Sequence, residues 1–141
     1  MRFSFLGVAC ALLAVLAVWT GPARAQSAEA EIRQVVENQV AAFTAGDARR
    51  AFGYATPSIQ KRFGSSATFM TMVEQSYSVL LDPADFVIEA VEADGDAGAV
   101  RARVVGRDGQ VFDALYPMKR QPNGDWRIDG CYLQPAKGRA T

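Results

Sequence analysis

The chain has 141 residues, half of them hydrophobic and 21% charged, with 15 Lys+Arg against 15 Asp+Glu and no histidine. A balance that close to zero carries no electrostatic footprint for nucleic acid or anionic lipid. The missing imidazole removes the commonest general base and metal ligand at neutral pH, and neither metal-ligand spacings nor nucleophile motifs occur.

At the N-terminus Arg2 precedes an uncharged apolar run from Phe5 to Trp19, and Pro22 with Ala23-Arg24-Ala25 then forms a small-residue cleavage site before Gln26. This pattern predicts a signal peptide over residues 1–25 and a periplasmic or secreted protein with no membrane attachment after cleavage. Cys10 lies inside the apolar run, which argues against a lipid anchor. The remainder, Gln26 to Thr141, is 116 residues long and reads as a single domain. Loss of Arg2 and Arg24 leaves 13 basic residues against 15 acidic ones, a formal charge of −2. Only Cys131 then remains, so no internal disulfide can form. Such a thiol is either buried and inert or open to intermolecular pairing, and its position between Gly130 and Tyr132 in a strand points to burial.

The first helix is predicted over Ala28–Thr44, with Ser27 as its cap. Ile32, Val35, Val36, Gln39, Val40 and Phe43 form one stripe at three- and four-residue spacing. Gly46 ends it, and Asp47 caps a short helix through Tyr54. Pro57 breaks the pattern, and Ser58–Phe63 reads as another short turn of helix. Ser66 is expected to cap a further helix carrying Phe69, Met70, Val73 and Tyr77.

From Asp85 the period changes to two. A first strand over Asp85–Glu92 is followed by a Gly/Asp-rich turn, and then by three strands: Ala99–Val105, Val111–Arg120 and Trp126–Leu133. Asp108-Gly109 and Asn123-Gly124 are strong hairpin signals. Loop length decides which residues share a face. Two-residue loops would align Arg101 and Arg103 with Ala114, Tyr116 and Met118. Three-residue loops with a glycine bulge sort the ladder better. They place Val100, Ala102, Val104, Phe112, Ala114, Tyr116, Met118, Trp126, Ile128 and Tyr132 on one face. Arg101, Arg103, Asp113, Lys119, Arg127 and Asp129 take the other, with Lys119 paired to Asp129 and an apolar patch of Leu115, Cys131 and Leu133.

Helices followed by an antiparallel sheet ending in Asn123-Gly124-Asp125-Trp126-Arg127-Ile128, with Gly46-Asp47 opening the second helix, resemble the nuclear-transport-factor-2-like (SnoaL-like) superfamily. The words QVAAFTAGDARRAFGYATPSIQKRF, Phe69 to Tyr77 and QPNGDWRIDGCYL are similar to the bacterial domain of unknown function 4864. The resemblance implies an α+β fold: N-terminal helices on a curved antiparallel sheet that bends into a cone around a pocket. It also implies that dimers through the sheet are common, and it brings no assigned activity, since superfamily members include both enzymes and binding modules.

The residues themselves favour binding over catalysis. An isomerase-like site needs a carboxylate base and a tyrosine donor facing the hollow, and the preferred register turns Asp113 and Asp129 away from it. No catalytic residue, metal or cofactor is therefore assigned. A small apolar ligand would meet Tyr54, Tyr77, Tyr116, Trp126 and Tyr132, aromatics that can line a pocket as well as a core. A protein partner, or a second copy docking on the outer face of the sheet, is the alternative occupant.

Overall fold

A computed structural model describes residues 21–138. Residues 1–20, most of the expected signal peptide, lie outside them. Four helices come first: α1 (Gly21–Thr44), α2 (Ala48–Gly53), α3 (Pro57–Phe63) and α4 (Ser66–Ser76). Five strands follow: β1 (Asp85–Asp94), β2 (Ala97–Val105), β3 (Val111–Arg120), β4 (Trp126–Ile128) and β5 (Tyr132–Pro135). All strand pairs are antiparallel in the order β1-β2-β3-β4, and β5 pairs with the other half of β3. This is the expected α+β arrangement of helices on a curved sheet.

The caps explain the short helices. Asp47 accepts from Arg50 N at 3.1 Å, and Thr56 Oγ1 accepts from Ile59 N with Pro57 in the first turn. Ser65 rather than Ser66 caps α4, accepting from Thr68 N at 3.1 Å. The long helix already runs at Gly21, the first described residue, and so extends N-terminal to the expected Ala28. Ser27 therefore lies within the helix instead of capping it.

Both hairpins use the three-residue loops. Gly106 N donates to Gln110 O across Arg107-Asp108-Gly109, and Gln121 N donates to Asp125 O across Pro122-Asn123-Gly124. Gly109 and Gly124 supply the positive φ that each loop requires, 83° and 93°. The register follows: Val100 faces Tyr116, Ala102 faces Ala114, Val104 faces Phe112 and Met118 faces Ile128. Lys119 lies opposite Arg127 in the ladder, and its ammonium reaches Asp129 at 3.2 Å.

The last strand departs from expectation. Trp126–Leu133 is not continuous: pairing stops at Ile128 and resumes at Tyr132 after Asp129-Gly130-Cys131, where Gly130 adopts φ 134°. The interruption reverses the phase of the alternation. Tyr132, expected on the covered face, pairs with Leu115 and is 69% exposed on the outer one. Leu133, expected outside, pairs with Ala114 and packs against the core. Cys131 is half-buried, packing against the core while also bordering the open space around β5 with Leu115 and Leu133. A second irregularity, between Ile88 and Ala90, marks a bulge in β1.

The core lies between the helices and the inner sheet face. Ile32, Val36 and Phe43 from α1 meet Val100, Val104, Tyr116, Met118 and Trp126. Phe69 of α4 gathers Phe43, Phe52 and Phe63 around it, with ring centroids 6.2, 5.3 and 5.7 Å away. Gly98 allows α1 to approach the sheet closely, since a Cβ there would lie 2.9 Å from Ile32 Cδ1 and 3.0 Å from Glu92 O. Among the described residues no helix is long and apolar enough to cross a membrane.

Candidate functional site

The hollow of the cone is largely filled by its own side chains. Tyr116, Ile32, Met118 and Val36 are fully buried there. What remains is a cavity of about 130 Å³ between α1, α3, α4 and β4, walled by Ile59, Phe63, Phe69, Met72 and Ile128. Its polar groups are Gln39, Arg62 and Tyr77, and no carboxylate lines it. Gln39 holds the inner end, 4% exposed, with Nε2 donating to Ala51 O at 3.1 Å. Arg62, on the exposed side of α3, forms the rim.

Behind this cavity three titratable groups meet. Tyr77 Oη donates to Cys131 O at 2.8 Å. Burial raises the Tyr77 pKa, with Cys131 and Tyr132 nearby adding to the effect. Tyr116 Oη is sealed from solvent and has no partner in hydrogen-bond geometry, although the Cys131 thiol is close enough to couple to it. Desolvation pushes Tyr116 well above the ordinary phenol range and the Cys131 thiol up to about 12, the latter partly offset by Tyr116. Such a thiol stays protonated and is a poor nucleophile.

The outer sheet face carries a larger, open dish of about 1140 Å³ that extends around β5 to Tyr77 and Leu133. Glu89, Arg101, Arg103, Asp113, Leu115 and Tyr132 form its floor. Cross-strand register sets Arg101 beside Leu115 and Tyr132, and Arg103 beside Asp113 and Gln134. Val87, opposite Arg103, extends the row onto β1. Among the described residues the ion pairs are Arg107–Asp82 and Lys119–Asp129, so neither arginine of the dish is bridged to an acid within the chain.

The five aromatics expected to line one ligand site do not converge. Tyr54 and Trp126 border a separate surface groove of about 550 Å³ beside the β3–β4 turn. Tyr116 is core, Tyr77 touches both the inner cavity and the dish, and Tyr132 belongs to the dish alone. The cavity is instead built from α1, α3 and α4, with Arg62 and Met72 not anticipated as site residues. The one signal in the sequence was Gln39, an amide interrupting an apolar helical stripe. The geometry of an acid–base dyad is also missing. Tyr54 Oη accepts from Arg50 Nε at 3.2 Å, Asp129 Oδ1 accepts from Thr56 Oγ1 at 2.8 Å, and no tyrosine hydroxyl bonds a carboxylate among the described residues. No cluster of three or more cysteine or acidic side chains that could hold a metal ion occurs among them.

A helical layer closing one face of a curved antiparallel sheet, with a narrow residual cavity inside, defines an NTF2-like fold. Three crystal structures of NTF2-like proteins of unknown function share it. The protein from Silicibacter pomeroyi DSS-3 is 21% identical at a TM-score of 0.55, with 79% of this chain and 98% of that one covered. The protein from Shewanella baltica OS155 is 10% identical at 0.53, with 79% and 97% covered. The protein from Burkholderia xenovorans LB400 is 15% identical at 0.52, with 79% and 89% covered. Residues 25–141 match the family described as Domain of unknown function (DUF4864), and the chain belongs to that family. No protein of curated function is significantly similar to it.

Proposed function

We propose that this domain is an exported, non-catalytic binding module that works as a homodimer through the outer face of its sheet. One observation carries the reading. Val87, Leu115 and Tyr132, the large hydrophobic side chains exposed by 46, 45 and 69%, all lie on that face. Apolar groups gathered in this way, framed by charge, mark an interaction surface. The frame holds charges of both signs: Arg101, Arg103 and Lys137 against Glu89 and Asp113 around the dish. A two-fold axis would bring the arginines of one copy against the carboxylates of the other, as an isologous interface requires. Catalysis lacks support of this kind, because the hollow contains neither a carboxylate nor a tyrosine–acid pair.

Sedimentation velocity on the purified protein tests the reading. A dimer is expected, and Leu115→Asp should convert it to a monomer without changing the far-UV circular dichroism. A monomer at high protein concentration would overturn it. Export is supported by the Ala23-Arg24-Ala25 flank, and intact mass of the protein recovered from the periplasm or medium should begin at Gln26. Protein retaining Met1 and found only in the cytosol would count against export.

A further inference from the structure

We propose that the inner cavity binds a single-ring aromatic carrying a hydroxyl and a carboxylate, that is, a small phenolic acid. This site is separate from the outer dish, and the inference does not depend on dimerisation.

Size comes first. A dry engineered cavity of roughly 150 Å³ lined by aliphatic and aromatic side chains accepts benzene, and the space here, about 130 Å³, is of that order. Its walls suit a flat apolar ring: Phe63 and Phe69 offer aromatic surface, and Met72 is an adaptable thioether. Two rings or a long acyl chain would not fit.

The polar groups at its two ends then narrow the chemistry. Gln39 is almost wholly buried and borders this cavity. Its Nε2 is engaged by Ala51 O, while its Oε1 accepts no hydrogen bond from the described residues. Tyr116 Oη is the sealed side-chain polar atom without a partner among the described residues, so Gln39 Oε1 is not sealed, and the cavity is an open space that Gln39 borders. An acceptor left at the bottom of an apolar hole calls for a ligand O–H or N–H donor. At the mouth stands Arg62, a guanidinium with no carboxylate within ion-pair distance among the described residues. It calls for an anion at the outer end of the same molecule. A ring with a buried hydroxyl and an outward carboxylate meets both demands. A basic amine would have to bury its ammonium at the inner end, where no carboxylate lines the cavity, and is disfavoured.

Isothermal titration with 3- and 4-hydroxybenzoate, benzoate and phenol tests this directly. At least one hydroxybenzoate should bind saturably. Benzoate should bind about tenfold more weakly, the value of one buried hydrogen bond. Arg62→Gln should weaken the hydroxybenzoate by up to about fivefold, as befits an exposed ion pair, and leave phenol unchanged. Gln39→Met also removes the bond to Ala51 O and can disturb folding, so Met72→Trp serves as the second variant: at the half-exposed rim it should plug the mouth and abolish binding in a folded protein. Equal affinity for benzoate and hydroxybenzoate, unchanged affinity in the Met72→Trp protein, or no saturable binding up to the ligands' solubility would each overturn the proposal. Leu115→Asp, which tests the dimer, should not affect any of these affinities.

Discussion

Tyr116 contributes a large apolar body to the core, yet its hydroxyl is sealed without a hydrogen-bond partner. Leaving such a group unpaired costs roughly 1–3 kcal/mol, so removing it should relieve that cost. Tyr116→Phe is expected to leave stability unchanged or raise it by about 1 kcal/mol in urea denaturation. A loss of similar size would mean that the hydroxyl bonds to Cys131 after all. Cys131 makes a pH prediction. Its thiol ionises at 9.0 ordinarily and at about 12 when folded. Between those values the unfolded chain holds fewer protons than the folded one, so stability is fully present below about pH 9 and falls as pH rises towards 12. Tyr77 and Tyr116 are shifted in the same direction and add to the decline. Cys131→Ala should flatten the alkaline limb of a stability–pH curve, and thiol labelling of the native protein at pH 8 should be slow. The placing of Tyr116 on the covered face was legible in the sequence from strand alternation together with the three-residue loops. Its lack of a partner was not, because that depends on how the chain returns past it at Cys131, fifteen residues later.

Among the elements, α1 and β2 approach closely at Gly98. A methyl group at Gly98 would meet Ile32 Cδ1, which can shift, and Glu92 O, which cannot without disturbing the β1–β2 ladder. Gly98→Ala should therefore cost about 1–3 kcal/mol, seen as a lower urea midpoint at unchanged m-value. The β2–β3 register could be read from residues because two independent signals agreed. The Asp108-Gly109 turn demanded positive φ, and only the three-residue loop then placed Val100, Ala102 and Val104 on the same side as Phe112, Ala114, Tyr116 and Met118, with both arginines of β2 on the other. The Trp126–Leu133 segment lacked that redundancy. Alternation in WRIDGCYL fits a continuous strand as well as a broken one, and Gly130 permits a conformation that its neighbours do not announce. Tyr132 was misplaced for that reason, and with it one of the five residues expected in the pocket. The one-residue difference at the start of α4, Ser65 rather than Ser66, is of another kind, since a Ser-Ser run offers two equivalent caps.

For the whole molecule, the helices-then-sheet order and the family membership followed from elements and words spread across nearly the full chain. The site did not, because the cavity collects side chains from three helices whose mutual packing no local pattern specifies. The two candidate surfaces lie on opposite faces of one sheet, and this separation has a measurable consequence. Substitution in the dish should alter sedimentation and leave ligand titrations untouched, while substitution at Arg62 or Met72 should do the reverse. Coupling between the two readouts would point to Tyr77, which borders both spaces.

The interruption at Asp129–Cys131 acts as a frame-shift within the fold. Downstream of it the inside and outside of the chain trade places, so the length of this three-residue spacer decides which side chains the terminal strand offers to the surroundings. Deleting Gly130 would rotate Tyr132 into the interior and send Leu133 outward, erasing the aromatic contribution to the exterior while every other strand kept its orientation.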